Sequence, residues 1–251
     1  MEILIGTSGW QYRHWRNSFY PEKLRRAEWL AYYAGTFNSV EVNASFYRLP
    51  EVEDIRRWCE STPAHFVFAV KAPRSITHFK KLKNCESHLD TMMARLRGFG
   101  ARLGPVLFQL PPRWRCNPRR LAGFLAMLPR DGRFAFEFRD PSWHCEEVYG
   151  LLGEHRAAFC IFDLEGRTAP LETPGEFVYV RLHGPRTAYT GNYRAQALRT
   201  WSGRALGWQR KNKNVYFYFD NDARAYSAKN ARRMLAMMRA EKETPAAIAA
   251  D

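Results

Sequence analysis

Cysteine is scarce and dispersed: the 251 residues carry five, Cys59, Cys85, Cys116, Cys145 and Cys160, with no C-x-x-C pair. That spacing supports neither a disulfide framework nor a zinc ribbon, and it fits a reducing compartment. Histidine is also sparse, at seven, too few to furnish a histidine-rich multi-metal cluster comfortably. No run approaches the roughly 18 apolar residues that span a bilayer. The opening MEILIGTSGW has no basic segment followed by an apolar one, so the expectation is a cytoplasmic protein without membrane attachment. Acidic residues are outnumbered, 25 Asp and Glu against 39 Lys and Arg, for a formal net charge of +14. Most of the cations are Arg, whose planar, permanently charged guanidinium suits phosphate. A compositional preference for Arg accounts for the same excess equally well. Internal repeats, low-complexity tracts and Gly/Ser linkers are missing, and the only shift in composition is the alanine-rich end after Glu243. The organisation read from this is one domain over 1–243 and a tail at 244–251 expected to fray.

What is present is ordinary globular material, 46% hydrophobic and 25% charged. The length exceeds that of a typical domain but matches an α/β barrel closing as one unit. Eight short runs rich in Val, Ile, Phe and Tyr recur at 3–6, 39–43, 66–71, 105–110, 134–139, 157–163, 177–183 and 215–220, each bounded by Gly, Pro or polar residues in the manner of strands. Most intervals hold helical periodicity. PEKLRRAEWLAYYAGTF, with Pro21 at an expected first helical position, EVEDIRRWCEST, SHLDTMMARLRGF and SAKNARRMLAMMRAEKE are examples,. Strand and helix alternating eight times predict a (β/α)8 TIM barrel. LEGRTAPLETPGE, between the sixth and seventh strands, has two prolines and no helical period, so that crossover is expected to lack a regular helix.

Side chains alternate across a strand. In FAFEFR this places Phe134, Phe136 and Phe138 on the helix side and sends Glu137 and Arg139 into the barrel. The same sorting turns Glu41 and Asn43, Lys71, Gln109, Asp163, Tyr179, Arg181 and His183, and Tyr216, Tyr218 and Asp220 inward. Their polar members cluster towards the C-terminal strand ends, where barrel active sites are built. Four acidic residues face three basic ones there, with His183 in addition; a self-neutralised ion network closing the core is the purely structural reading. Beyond the strand ends, the GTSGW turn offers backbone N–H groups suited to an anion, and Asn221 and Asp222 precede a helix they could simply cap.

These residues resemble the YecE-like family (DUF72), a domain of unknown function with a TIM-barrel fold. The resemblance runs through GTSGW, FNSVEVNASFYRLP, FVFAVKAPRSITH, LGPVLFQLPP, FAFEFRDPSW, YVRLHG, YFDND and AKNA, nearly the whole chain. It implies the barrel and brings no established reaction. Matched motif positions include Trp10, Glu41, Asn43, Phe46, Tyr47, Lys71, Thr77, His78, Gln109, Glu137, Arg139, Trp143, Arg181, His183, Gly184, Asn221, Asp222 and Asn230.

The functional expectation is an enzyme acting on an anionic, phosphate-bearing substrate, including a nucleic-acid phosphodiester. Glu41, Glu137, His183 and Asp220 are the catalytic candidates. Trp10, Asn43, Tyr47, Lys71, His78, Gln109, Arg139, Trp143, Arg181, Asn221 and Asp222 are the substrate-binding candidates. A single divalent ion held by Glu137, Asp163, His183 and Asp220 is the less favoured addition, because two arginines share those strands. The alternatives are a non-catalytic nucleic-acid or ribonucleoprotein binding module, whose binding falls steeply with salt, and a glycosidase using Glu41 and Glu137.

Overall fold

The computed structural model describes residues 1–243; the tail expected at 244–251 lies outside them. The strands are β1 (Ile3–Thr7), β2 (Ser39–Val42), β3 (Val67–Lys71), β4 (Leu103–Gln109), β5 (Phe134–Glu137), β6 (Ala158–Leu164), β7 (Arg167–Thr168), β8 (Phe177–Leu182) and β9 (Asn214–Phe219). Helices α1 (Trp29–Ala34), α2 (Val52–Glu60), α3 (Glu86–Leu96), α4 (Pro118–Leu125), α5 (Glu146–Glu154), α6 (Ala195–Arg210) and α7 (Tyr226–Glu243) lie between and after them. Strand order is β1-β9-β8-β6-β5-β4-β3-β2, parallel throughout except for β7, which folds back antiparallel on β6. This is the single α/β barrel the alternation predicts, and the β6–β8 crossover holds the β7 turn in place of a helix. No helix of the described residues is long and apolar enough to cross a membrane.

The barrel closes between β1 and β2 with little direct ladder. A bridge joins Ser8 to Glu41, and the Gly9 N–H donates to the Glu41 carbonyl at 2.8 Å. Elsewhere side chains complete the seam: Asn38 Oδ1 accepts from the Ile5 N–H at 3.0 Å, and Tyr33 Oη accepts from the Thr7 N–H at 2.8 Å while donating to the Ser39 carbonyl at 3.1 Å. Backbone groups that would otherwise be buried without partners are satisfied this way. The approach is so close that a Cβ on Gly6 would lie 2.0 Å from the Ser39 carbonyl oxygen, which only glycine permits,.

Inside the barrel, the small Ala69, Ala135, Ala158 and Cys160 pack in one cluster with Leu107 and the large Tyr179, Tyr216 and Tyr218. Outside, Phe108, Phe136 and Phe138 pack under the helices with Phe124 and Trp143. The helices follow local rules where burial allows. Asn117 Oδ1 accepts from the Arg120 N–H at 2.9 Å and Pro118 occupies the first turn of α4,. The first helix differs from expectation. Pro21 opens a turn rather than a helix, and α1 begins only at Trp29, after a short 3-10 turn over Arg26–Glu28. Tertiary packing decides this, because Trp29 stacks on Tyr20 at 4.6 Å and holds the intervening chain in a loop over the aromatic cluster.

Candidate functional site

Arg181, fully buried on β8, organises the C-terminal end of the barrel. Its Nε and Nη2 donate to both oxygens of Glu41 at 2.9 and 2.7 Å, Nη1 donates to Glu137 Oε2 at 2.8 Å, and Nη2 also reaches Asp220 Oδ2 at 3.0 Å and Ser8 Oγ at 3.2 Å. Glu41 accepts further from Ser8 Oγ and from Tyr179 Oη at 2.7 Å. Glu137 accepts from Arg139 Nε, with Cys160 Sγ at 3.7 Å. His183 completes the cluster. Arg139 Nη2 lies 3.0 Å from its Nε2 and can only donate, so Nδ1 carries the proton that meets Asp220 Oδ2 at 2.9 Å,.

Burial alone would push the Glu137 carboxyl up, but the Arg139 and Arg181 guanidiniums outweigh it and hold the group well below the ordinary carboxylate range,. Asp220 is lowered likewise, burial being overcome by Arg181, His183 and Lys71. The two glutamates have no solvent exposure. They fix the arginines from beneath.

Above this floor, at the last residue of β3, stands Lys71. It is 8% exposed, and its ammonium has no hydrogen-bond or ion-pair acceptor among the described residues. The Nζ lies 4.3 Å from the centroid of Phe46. Burial and the Arg181 charge lower its pKa to about 8, against the opposing pull of Asp220, Glu41 and Glu137. His78 meets the same Phe46 ring edge-on at 4.9 Å, with its Nδ1 2.9 Å from Thr77 Oγ1. Burial, then Lys71, Arg139 and Arg74, push its pKa down. Arg74 is exposed and lies over Tyr47 and Phe79 at 5.2 and 5.3 Å. The outer layer is thus cationic.

The structure brings Glu41, Glu137, His183, Asp220, Lys71, Arg139 and Arg181 together, with His78 at the rim. Gln109 is in register with Glu137 on the neighbouring strand and is nearly buried. Asn43 and Tyr47 line a hollow of about 260 Å³ beside the ring, shared with Trp10, Tyr12 and Trp58. Trp10 also lines the adjoining hollow of about 530 Å³, which carries Arg26, Arg48 and Arg57. Asp222 sits at the rim, 3.4 Å from His14. Trp143 does not reach the site: it is fully buried, stacks on Phe138 at 4.9 Å and donates to the Trp114 carbonyl. Asn221 is also sealed, its Nδ2 donating to the Gly191 carbonyl and to Asn230 Oδ1.

Two expectations are corrected. Asp163 points out of the barrel, accepting from Tyr193 Oη at 2.8 Å and Thr168 Oγ1 at 3.1 Å. Phe162 carries the inward parity instead, 5.2 Å beneath the Arg139 guanidinium. The four-residue metal set therefore does not converge, and no cluster of three or more His, Cys, Asp or Glu side chains among the described residues is arranged to hold a metal. The GTSGW turn does not present an open row of amides, because the N–H groups of Thr7, Ser8 and Gly9 bond Tyr33 Oη and the Phe219 and Glu41 carbonyls. Sequence reasoning passed over Ser8, Tyr12 and Tyr189. Ser8 shares the parity of Leu4, so alternation could have found it. Tyr12 donates to the Ser8 carbonyl at 2.6 Å, its phenol held protonated by burial and by Asp220, Asp222 and Glu41. Tyr189 packs on His183 at 5.6 Å from an irregular loop that no local pattern marks.

The sequence model of a family described as "Protein of unknown function DUF72" matches residues 4–250. Protein YunF of Bacillus subtilis (strain 168), named as UPF0759, is 27% identical over 94% of this chain and 94% of its own. Protein YecE of Escherichia coli (strain K12), also UPF0759, is 31% identical over 56% of this chain and 50% of its own. A crystal structure of a DUF72 family protein from Thermotoga maritima MSB8 superposes with a TM-score of 0.85 at 27% identity, covering 95% of this chain and 100% of that one. One from Enterococcus faecalis V583 gives 0.81 at 18% identity, over 94% and 95% of the two chains, and bears on the fold alone.

Proposed function

The chain belongs to the DUF72 family, and we propose that it is an enzyme taking an anionic, phosphate-bearing substrate at the C-terminal mouth of the barrel. The observation that carries this reading is Lys71. Each arginine of the ring has a carboxylate within hydrogen-bond reach, whereas the buried Lys71 ammonium has none. A buried charge without an acceptor is costly, and an incoming anion would supply the acceptor. Arg139 and Arg74, whose charges with that of Lys71 push the His78 pKa down, extend positive potential outward from it, and the net charge of +14 steers anions toward the whole molecule,.

Within this reading Glu41, Glu137 and Asp220 position Arg181, Arg139 and His183, and proton transfer falls to groups nearer solvent, His78 and Lys71. The saturation of Glu41 and Glu137 by donors, and the lowered pKa of Glu137, speak against their use as the carboxyl pair of a glycosidase,. A nucleic-acid phosphodiester is the second reading. Tyr47 and Phe79, 71% and 70% exposed on either side of Arg74, support it as stacking surfaces beside the mouth,.

Calorimetric titration with inorganic phosphate and pyrophosphate tests the proposal. Lys71→Met is expected to fold at least as stably as the natural chain, since it removes a buried charge, and to bind at least about tenfold more weakly, the loss of one charge-assisted hydrogen bond. Absence of binding to the natural chain, or equal affinity in the variant, overturns it. A steep salt dependence with oligonucleotides in place of phosphate would favour the second reading.

A further inference from the structure

We propose that Lys71 is an amine nucleophile that forms a Schiff base with an aldehyde or ketone group of the substrate. This deepens the preceding proposal, since it takes the substrate to be a carbonyl compound that also bears the anion. An ammonium built only to clamp an anion gains from surroundings that keep it charged. The surroundings of Lys71 do the reverse: burial to 8% exposure, no acceptor, and the Arg181 guanidinium in the layer below outweigh the favourable contact with the Phe46 face,. Desolvation beside another cation is how proteins prepare a lysine for attack on a carbonyl. With a pKa of about 8, roughly a tenth of the amine is neutral at pH 7, against under about one in a thousand for an ordinary lysine.

The position is also fixed and open. Ser45 Oγ donates to the Lys71 carbonyl at 2.6 Å, anchoring the end of β3. The sealed side-chain polar atoms without partners among the described residues are those of Ser202, Asn221 and Ser227, so the Lys71 Nζ retains contact with solvent. His78 shares the Phe46 ring, and with Nδ1 turned to Thr77 its Nε2 is left without a partner.

In the step proposed, the neutral Nζ lone pair forms a bond to the carbonyl carbon while the carbonyl π pair moves to oxygen. His78 relays protons from nitrogen to that oxygen. The oxygen leaves as water with the two hydrogens first held by Nζ, giving the imine, and one proton from solvent makes it an iminium. No oxidant or reductant enters. The iminium then withdraws electrons from the neighbouring carbon, the chemistry needed to remove a proton or break a carbon–carbon bond there.

Pyridoxal phosphate, used purely as a probe because it joins an aldehyde to a phosphate, tests the idea on the full chain. The protein is incubated with it near pH 8, reduced with borohydride, digested and mapped by mass spectrometry. The expected result is a reduced adduct at Lys71 at least tenfold above that at any other lysine, suppressed by inorganic phosphate, absent in Lys71→Met and formed several-fold more slowly in His78→Phe. Thermal melting of both variants checks that they fold. Labelling spread over surface lysines, or equal total labelling in Lys71→Met, overturns the proposal. If phosphate binds in a Lys71-dependent way yet nothing is trapped at Lys71, the nucleophile fails and the anion site stands. If pyridoxal without its phosphate labels Lys71 equally well and phosphate does not compete, the nucleophile stands and the anion site fails.

Discussion

Exchanging Arg181 for methionine keeps a long unbranched side chain but deletes the guanidinium on which the ring converges. Three carboxylates lose a partner, to different degrees. Glu137 keeps Arg139 and Asp220 keeps His183, whereas Glu41 keeps only the hydroxyls of Ser8 and Tyr179. Glu41 thus becomes a fully buried carboxylate with no cation in contact. Breaking a buried ion pair from one side costs about 3–5 kcal/mol, a large share of the roughly 5–15 kcal/mol that stabilises a domain. For a chain of this size that corresponds to a melting temperature lower by roughly 6–20 °C. Urea titration and thermal melting measure it, with an unchanged m-value showing that the folded state remains compact. Adding Glu41→Gln removes the orphaned charge, so the double variant should recover part of the loss, with a coupling above about 1.5 kcal/mol. A loss under about 1 kcal/mol in Arg181→Met, or strict additivity in the double variant, would show that the ring does not hold the barrel end together.

Acid should weaken the same network. Glu137 and Asp220 have folded-state pKa values below their unfolded ones, so their contribution is complete above about pH 4.5 and is lost as pH falls through the lowered values,. Urea unfolding across pH 5 to 2 should show stability falling with pH, with net proton uptake on unfolding because the unfolded carboxylates bind protons first, and Arg139→Met should flatten that slope; a stability independent of acid contradicts the assignment. Gly6→Ala should cost about 1–3 kcal/mol by overpacking the seam, because the new methyl meets the Ser39 carbonyl. Hydrogen exchange at the Thr7 and Gly9 amides should quicken in that variant, and unchanged protection there would mean that the seam can widen freely.

Much of the architecture is legible in the sequence. Strand positions, the barrel and the helix-free β6–β8 crossover all follow from local apolar runs and turn residues, and alternation correctly turned Glu137, Arg181 and His183 inward. Asp163 shows where that reasoning stops. A polar residue near a strand end predicts an inward side chain, but the inner parity of β6 belongs to Cys160 and Phe162, and Thr168 of the β7 turn and Tyr193 supply Asp163 with partners outside the barrel. Trp143 and Asn221 carried plausible binding chemistry, yet one is packed into the outer aromatic layer and the other braces the loop at Gly191. Long-range packing settled both.

The linear order of residues by itself determined which side chains alternate to the barrel interior, because that depends only on neighbouring dihedrals. Which of those groups have their charge answered was decided by tertiary structure alone. Arg181 meets Glu41 across 140 positions of sequence, and Lys71 on β3 is left without an acceptor. Hydrogen-bond saturation is a property of distances in space, and those are set only when the barrel closes.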